Sequence, residues 1–236
     1  MIVAIQQPEH IPWMGFFNKM SQCDLYVLLD NVQFKKRYFE NRNRINTDKG
    51  ARWFTVAVHS KGRYLQRINE IVIDDESPRI RKYTGLLEHT YKKYPFWKDV
   101  KDIIFPCIYE NKSRLLDLNL ALIDRLKEYL KIKTPCILSS SLGVDGFKGS
   151  ELMLNICLKI KAHIYISGPD GKDYLNIDEF KKKGTHVVYH NFQHPEYSCL
   201  QNKFIPSMSI IDLIANCGSA SGEIVRKCYK MDFNNA

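Results

Sequence analysis

Two histidines stand where a titrating side chain would do most. His10 lies in QQPEHIPW and His194 in NFQHPEY, each a few residues past an apolar run. Imidazole titrates near neutrality, so either could take a proton from an attacking nucleophile. His59, His89, His163, His186 and His190 lack that setting and read as structural or exposed. A second cluster is KKRYFENRNRI (35–45), with five basic residues among two aromatics and two asparagines. A guanidinium binds phosphate or carboxylate as a planar fork, and an interleaved ring can stack a base. Arg42, between Asn41 and Asn43, is the expected anion contact. Arg44 shares its side if the segment is a strand.

Other signals are weaker. SGPDGKDYL (167–175) is rich in turn residues but carries neither GxGxxG nor a Walker pattern. GFKGS places Lys148 and Ser150 at the start of a helical pattern, where an anion can bind or a hydroxyl can cap. SMSIIDLIANCG has no GxSxG elbow, so Ser209 is expected to cap the helix that carries Asp212.

The elements that must position these groups follow from hydrophobic patterning. IVAI, LYVLLD (25–30), WFTVAV (53–58), HIYISG (163–168) and HVVYHNF (186–192) read as strands, and CILSSSL (136–142) as a weaker sixth. Helices are expected at 79–93, 112–131 and 148–162, with Ser113 and Ser150 as caps. Leu115, Leu118, Leu122, Leu126 and Leu130 recur at helical spacing. Helix then strand, repeatedly, implies an α/β layer fold with a mainly parallel, Rossmann-like sheet flanked by helices. Ligands of such sheets bind beyond the carboxyl ends of the strands. QQPEH, DNVQF, SSSLG, SGPDGKDY and NFQHPEY each follow a strand, so Gln7, His10, Asn31, Ser167 and His194 are expected to line one cleft.

Composition agrees with a globular chain. Of 236 residues, 44% are hydrophobic and 26% charged, and no interdomain linker is visible, so a single domain over 1–236 is expected. No run is long and apolar enough for a membrane span and the start does not resemble a signal peptide, which makes the cytoplasm the expected compartment. Seven scattered cysteines, without CxxC spacing, suit buried thiols and neither zinc nor disulfides. A net charge of +9 favours anionic partners. With no nucleic-acid motif present, a nucleic-acid-binding module is the weakest reading.

Several motifs together resemble the WbqC-like family, found in O-antigen and related surface-sugar gene clusters. Gln7, Pro8, Pro12, Trp13 and Gly15 match its opening pattern. LDNVQF, NRNRI, YKKYPFW, YISGPDGKDYL, HPEYSC and FIPSMSIIDLIAN follow in its order. The resemblance implies a transferase that adds an acyl or aminoacyl group, glycyl among them, to an amino sugar or nucleotide-linked sugar. Its donor would be an acyl-CoA or an aminoacyl carrier. It makes His194 and His10 the expected catalytic residues. The expected substrate contacts are Gln7, Trp13, Asn31, Gln33, Asn41, Arg42, Asn43, Arg44, Lys148, Ser167, Gly168, Tyr174, Tyr197 and Asp212. No metal is expected. Gln6 replaces the family's usual histidine and His10 its usual tyrosine, so His194 is the stronger base. The opening strand, His10 loop and strand ending at Asp30 are also similar to nucleotidylyltransferase-like folds, but HxGH is absent. An ATP-dependent amide ligase is the alternative.

Overall fold

The structure is a computed structural model that describes residues 1–74, 77–110, 112–200, 203–228 and 230–231. Five strands form one parallel sheet: β1 (Ile2–Gln6), β2 (Leu25–Leu28), β5 (Cys136–Leu138), β6 (Ile164–Ser167) and β7 (His186–Tyr189), in the order β5-β2-β1-β6-β7. The fold is thus α/β, built on a mainly parallel sheet. β1 lies at its centre, and Val3, Ala4 and Ile5 are at most 5% exposed. Their alternation serves two cores. Ala4, Tyr26 and Leu28 face one apolar cluster, while Val3, Ile5 and Val27 face the other.

Helices cover both faces. The larger core gathers α1 (Met14–Met20), α2 (Ser77–Tyr91), α3 (Trp97–Tyr109), α4 (Leu115–Tyr129), α7 (Ile210–Cys217) and α8 (Ser221–Lys227). The smaller takes α5 (Gly149–Lys159) and α6 (Ile177–Lys182). Leu115, Leu118, Leu122 and Leu126 are the buried stripe of α4, as their spacing requires. α3 carries a regular apolar stripe in Val100, Ile103, Ile104, Cys107 and Ile108, although Pro106, a residue that argues against a helix, lies inside it.

The remaining pair, β3 (Arg42–Thr47) and β4 (Gly50–Thr55), forms a separate antiparallel hairpin. WFTVAV is a strand, as its composition implies, but only over Trp53–Thr55, and it joins this hairpin and not the main sheet. NRNR is itself a strand. The caps also differ. α4 begins after Arg114, and Ser113 instead accepts at its carbonyl from Ile73 N. Ser150 lies inside α5 and accepts from Asn176 N at 2.9 Å. Ser209 holds the N-cap position of α7, but its hydroxyl donates to Ile11 O.

Candidate active site at the carboxyl edge of the sheet

All five polar segments lie at the carboxyl ends of the five parallel strands. The first is the loop after β1. Ile11 sits there at φ 41°, a left-handed conformation costly for a β-branched residue. Such a backbone persists only where its surroundings hold it. Asn43 Nδ2 donates to Ile11 O at 2.9 Å and Ser209 Oγ to the same oxygen at 2.9 Å. Asn119 Nδ2 donates to Pro8 O at 3.0 Å, and His10 N to Phe39 O at 2.9 Å. Three distant segments therefore clamp the proline loop. Gly15 completes it: a Cβ there would meet the Trp13 ring at 2.2 Å, so the ring lies directly over bare backbone.

This clamp holds Glu9 in the interior. Its carboxyl is 8% exposed, accepts from Gln6 Nε2 at 2.6 Å through Oε1, and has no partner for Oε2 among the described residues. Burial pushes Glu9 up to about 7, against the Gln6 hydrogen bond and the positive charge of Lys19. Lys19, on α1, is 4% exposed, and burial draws its ammonium down to about 8. Glu40 is wholly buried, and burial raises it to about 7 against hydrogen bonds from the backbone of Glu40 and Lys35 and the charge on Lys35. His190, at the end of β7, bonds through Nε2 to Asn18 Oδ1 at 2.9 Å. Burial, then the charge on Lys19, lowers it to about 3. The edge thus holds a carboxyl and an amine that both titrate within about a unit of neutrality. Such tuning is characteristic of acid–base sites.

His10 has a different setting from the one expected. It is fully buried, with Nδ1 2.9 Å from Asn119 Oδ1 and Nε2 2.7 Å from Tyr83 OH. Because the amide oxygen accepts, Nδ1 carries the proton and Nε2 accepts from the phenol. Burial lowers the imidazole to about 4. Both nitrogens are engaged in holding the loop to α2 and α4, so neither is offered to a substrate in this arrangement. His194 is half-buried among Trp13, Phe192, Tyr197 and Phe204. Its Nδ1 donates to Pro195 O at 2.9 Å, which leaves Nε2 the acceptor, and burial keeps the ring neutral. His10 and His194 do not touch. His190 stacks on Phe192, and Phe192 meets Trp13 and His194 edge-on, a chain of rings that joins His194 to the Lys19 end of the edge.

The basic segment is ordered by stacking. The Arg42 guanidinium lies 3.9 Å from the Trp53 ring centroid and that of Arg44 5.8 Å, both on one side of β3. Arg42 donates to Arg37 O and Arg44 to Ser207 O, and each Nε lacks a partner among the described residues. Asn41 and Asn43 face inward: Asn41 donates to Val56 O, and Asn43 holds the proline loop.

The other expected contacts divide. Gln7 is half-buried in the clamped loop, and Asn31 meets Ser139 Oγ at 2.7 Å beside Asp30. Ser167 is 1% exposed at the end of β6, packed where a Cβ on Gly171 would lie, with Gly168 half-buried beside it. These share the carboxyl edge. Gln33 is exposed and donates to Tyr64 O. Lys148 is exposed at the start of α5, and Tyr174 is exposed beside Tyr165. Asp212 is fully buried, taking Tyr91 OH at 2.9 Å and Tyr197 OH at 2.7 Å, a bridge between α2, α7 and the 190s segment. Glu9, Lys19, Glu40 and His190 were absent from the expected set. The one available signal was Lys19, a lone charge in the apolar helix MGFFNKM.

Among the described residues no group of His, Cys, Asp or Glu is arranged to hold a metal ion, and no helix is long and apolar enough to cross a membrane. No solved structure matches the chain. A protein of Mycobacterium tuberculosis (strain ATCC 25618 / H37Rv), named Uncharacterized protein Rv1507c, is 32% identical over 229 residues, covering 96% of this chain and 98% of its own. The model of the WbqC-like protein family matches residues 7–224, and the chain belongs to that family.

Proposed function

We propose that this protein is a transferase of surface-polysaccharide biosynthesis, which moves an acyl or aminoacyl group onto the amine of an amino sugar or nucleotide-linked sugar. One observation carries the chemistry: Glu9 is held on a clamped loop at the carboxyl edge of a parallel sheet, with Oε2 unpartnered among the described residues and an affinity for protons raised to about 7. In amide formation the attacking ammonium must lose protons as nitrogen bonds to the acyl carbon. A carboxylate of that affinity accepts one near neutral pH. The bond to the carrier breaks as the tetrahedral adduct collapses, and the carrier leaves with the electron pair. Lys19, largely cationic below about 8, supplies positive charge beside the base. His194, neutral and with Nε2 as acceptor, is the second base candidate.

The test is product analysis. The purified protein is incubated with UDP-linked amino sugars and acetyl or glycyl thioesters, with and without ATP, and amides are sought by mass spectrometry. Amide formed without ATP supports the transferase, whereas amide formed from free acid only with ATP makes the protein a ligase. No amide from any pairing overturns the reading. Glu9→Gln keeps the shape of the side chain and removes its titration. It should lower turnover by about a hundredfold or more while leaving acceptor binding intact.

A further inference from the structure

Two cavities border the β3–β4 hairpin, and they differ in chemistry. The first, of about 400 Å³, is walled by Phe54, Val56, Ile73, Leu86, Ile108 and Leu118. Among the described residues its charged lining consists of Arg52, Lys82 and Lys112 against one acid, Asp74. Lys112 is already paired with Glu110 at 3.1 Å, while Arg52 and Lys82 are exposed. The second, of about 330 Å³, is lined by Lys36, Arg37, Arg42 and Lys61, with no acid among the described residues. Thr55, Val56 and Ala57 belong to both walls, so the two adjoin along one stretch of backbone. Trp53 and Arg42 link them a second time: the ring lines the apolar cavity, and the guanidinium stacked on it at 3.9 Å lines the basic one. Asn41 also lines the basic cavity, is 7% exposed, and leaves Oδ1 without a partner among the described residues.

A cavity of this size with apolar walls is a small-molecule site, and a few polar groups set what enters it. Four cations, with no acid beside them among the described residues, select an anion, and an arginine fork suits phosphate. We propose that the paired cavities bind an amphipathic phosphate ester, with its apolar chain against Phe54, Ile73 and Leu118 and its phosphate among Lys36, Arg37, Arg42 and Lys61. Two sources share that chemistry, a lipid phosphate and an acyl thioester of a phosphate-bearing carrier. The orphan acceptor of Asn41 suits a ligand with an N–H or O–H between chain and phosphate. Tyr83 and Phe54, in the wall of the apolar cavity, touch His10, the neighbour of Glu9. The site thus lies against the loop that carries the proposed base. Its use as the acyl-donor site rests on the transferase reading; the binding itself does not.

Calorimetric titration with decyl phosphate, decanol, decylamine, coenzyme A and decanoyl-coenzyme A, all below micellar concentrations and without acceptor, tests it. Decyl phosphate should bind at least about tenfold more tightly than decanol or decylamine. Lys36→Glu with Lys61→Glu, both on the surface, should erase that preference and leave decanol unchanged. Ile80→Trp and Leu86→Trp, which fill the apolar cavity from partly exposed positions, should weaken decyl phosphate and decanol alike. Tighter binding of decanoyl-coenzyme A than of decyl phosphate and free coenzyme A identifies the thioester source, and the reverse order the lipid source. Decyl phosphate bound no better than decylamine, or binding unaffected by the double charge reversal, overturns the proposal. Binding without transfer to any acceptor would retain the site and remove the transferase reading.

Discussion

At the scale of single residues, proton affinity separates groups that look alike in the sequence. Of the seven histidines, local sequence distinguishes only His10 and His194. Burial then made His10 a neutral strut, with Asn119 on one nitrogen and Tyr83 on the other. His10→Phe should accordingly cost stability, because Asn119 and Tyr83 would keep buried polar atoms without partners. A loss of about 2 kcal/mol or more is expected in denaturant unfolding. His194 is not tied in this way at Nε2. If it is the base, His194→Asn lowers turnover by about a hundredfold or more in a folded protein. If Glu9 is the base, that variant keeps most of its turnover, and kcat/KM rises with pH through about 7 in a limb that Glu9→Gln removes. Running both variants over the same pH range decides between them.

At the scale of elements, two close packings decide what each motif is for. The Trp13 ring occupies the space a side chain on residue 15 would need, while Phe192 and His194 pack on that ring from other directions. Gly15→Ala must therefore push Trp13 off its neighbours. Overpacking of this kind costs about 1–3 kcal/mol, and the displaced indole should show as a changed tryptophan emission maximum together with a lowered Tm. In the hairpin, Arg42 and Arg44 share a side of β3, as alternation requires, but Arg42 is nearer the Trp53 ring and lines the basic cavity. Arg42→Lys replaces a stacked planar fork with a point charge. It should weaken decyl phosphate binding about tenfold, and unchanged affinity in Arg42→Lys and Arg42→Ala would leave the arginine a purely structural stack.

At the scale of the whole molecule, buried titratable groups make stability depend on pH in two opposed ways. Glu9 and Glu40 are raised to about 7, so the folded chain holds their protons more tightly than the unfolded one. Their neutral forms favour folding at low pH, and that contribution is lost as pH rises from about 4.5 to about 7. His10 and His190 are lowered to about 4 and about 3, so the unfolded chain binds their protons first. Their contribution is complete above about 6.5 and is lost as pH falls toward those values. Glu9→Gln isolates one term. Relative to the parent, it should gain stability between pH 5 and pH 8, by up to about 3 kcal/mol for a shift of this size. Denaturant unfolding at the two pH values measures it, and an equal difference at both would mean that Glu9 is not held neutral.

The sequence by itself determined the layer architecture. Apolar runs of strand length alternating with helical stripes permit little besides a parallel sheet between helices, and a polar segment after each such strand has to emerge at one edge. The order of motifs was likewise enough to mark the WbqC-like family. WFTVAV reads as a strand, but an apolar β-rich run does not say which sheet it joins; only the pairing of Trp53 with Arg44 across the hairpin does. Glu9, Lys19, Glu40 and His190 could not be singled out for a related reason. What distinguishes them is burial and one another's charges, which arise only when residues 9, 19, 40 and 190 are brought to one edge. His10 shows the converse. Its local setting promised chemistry, and contacts 73 and 109 residues away along the chain gave both of its nitrogens to the fold.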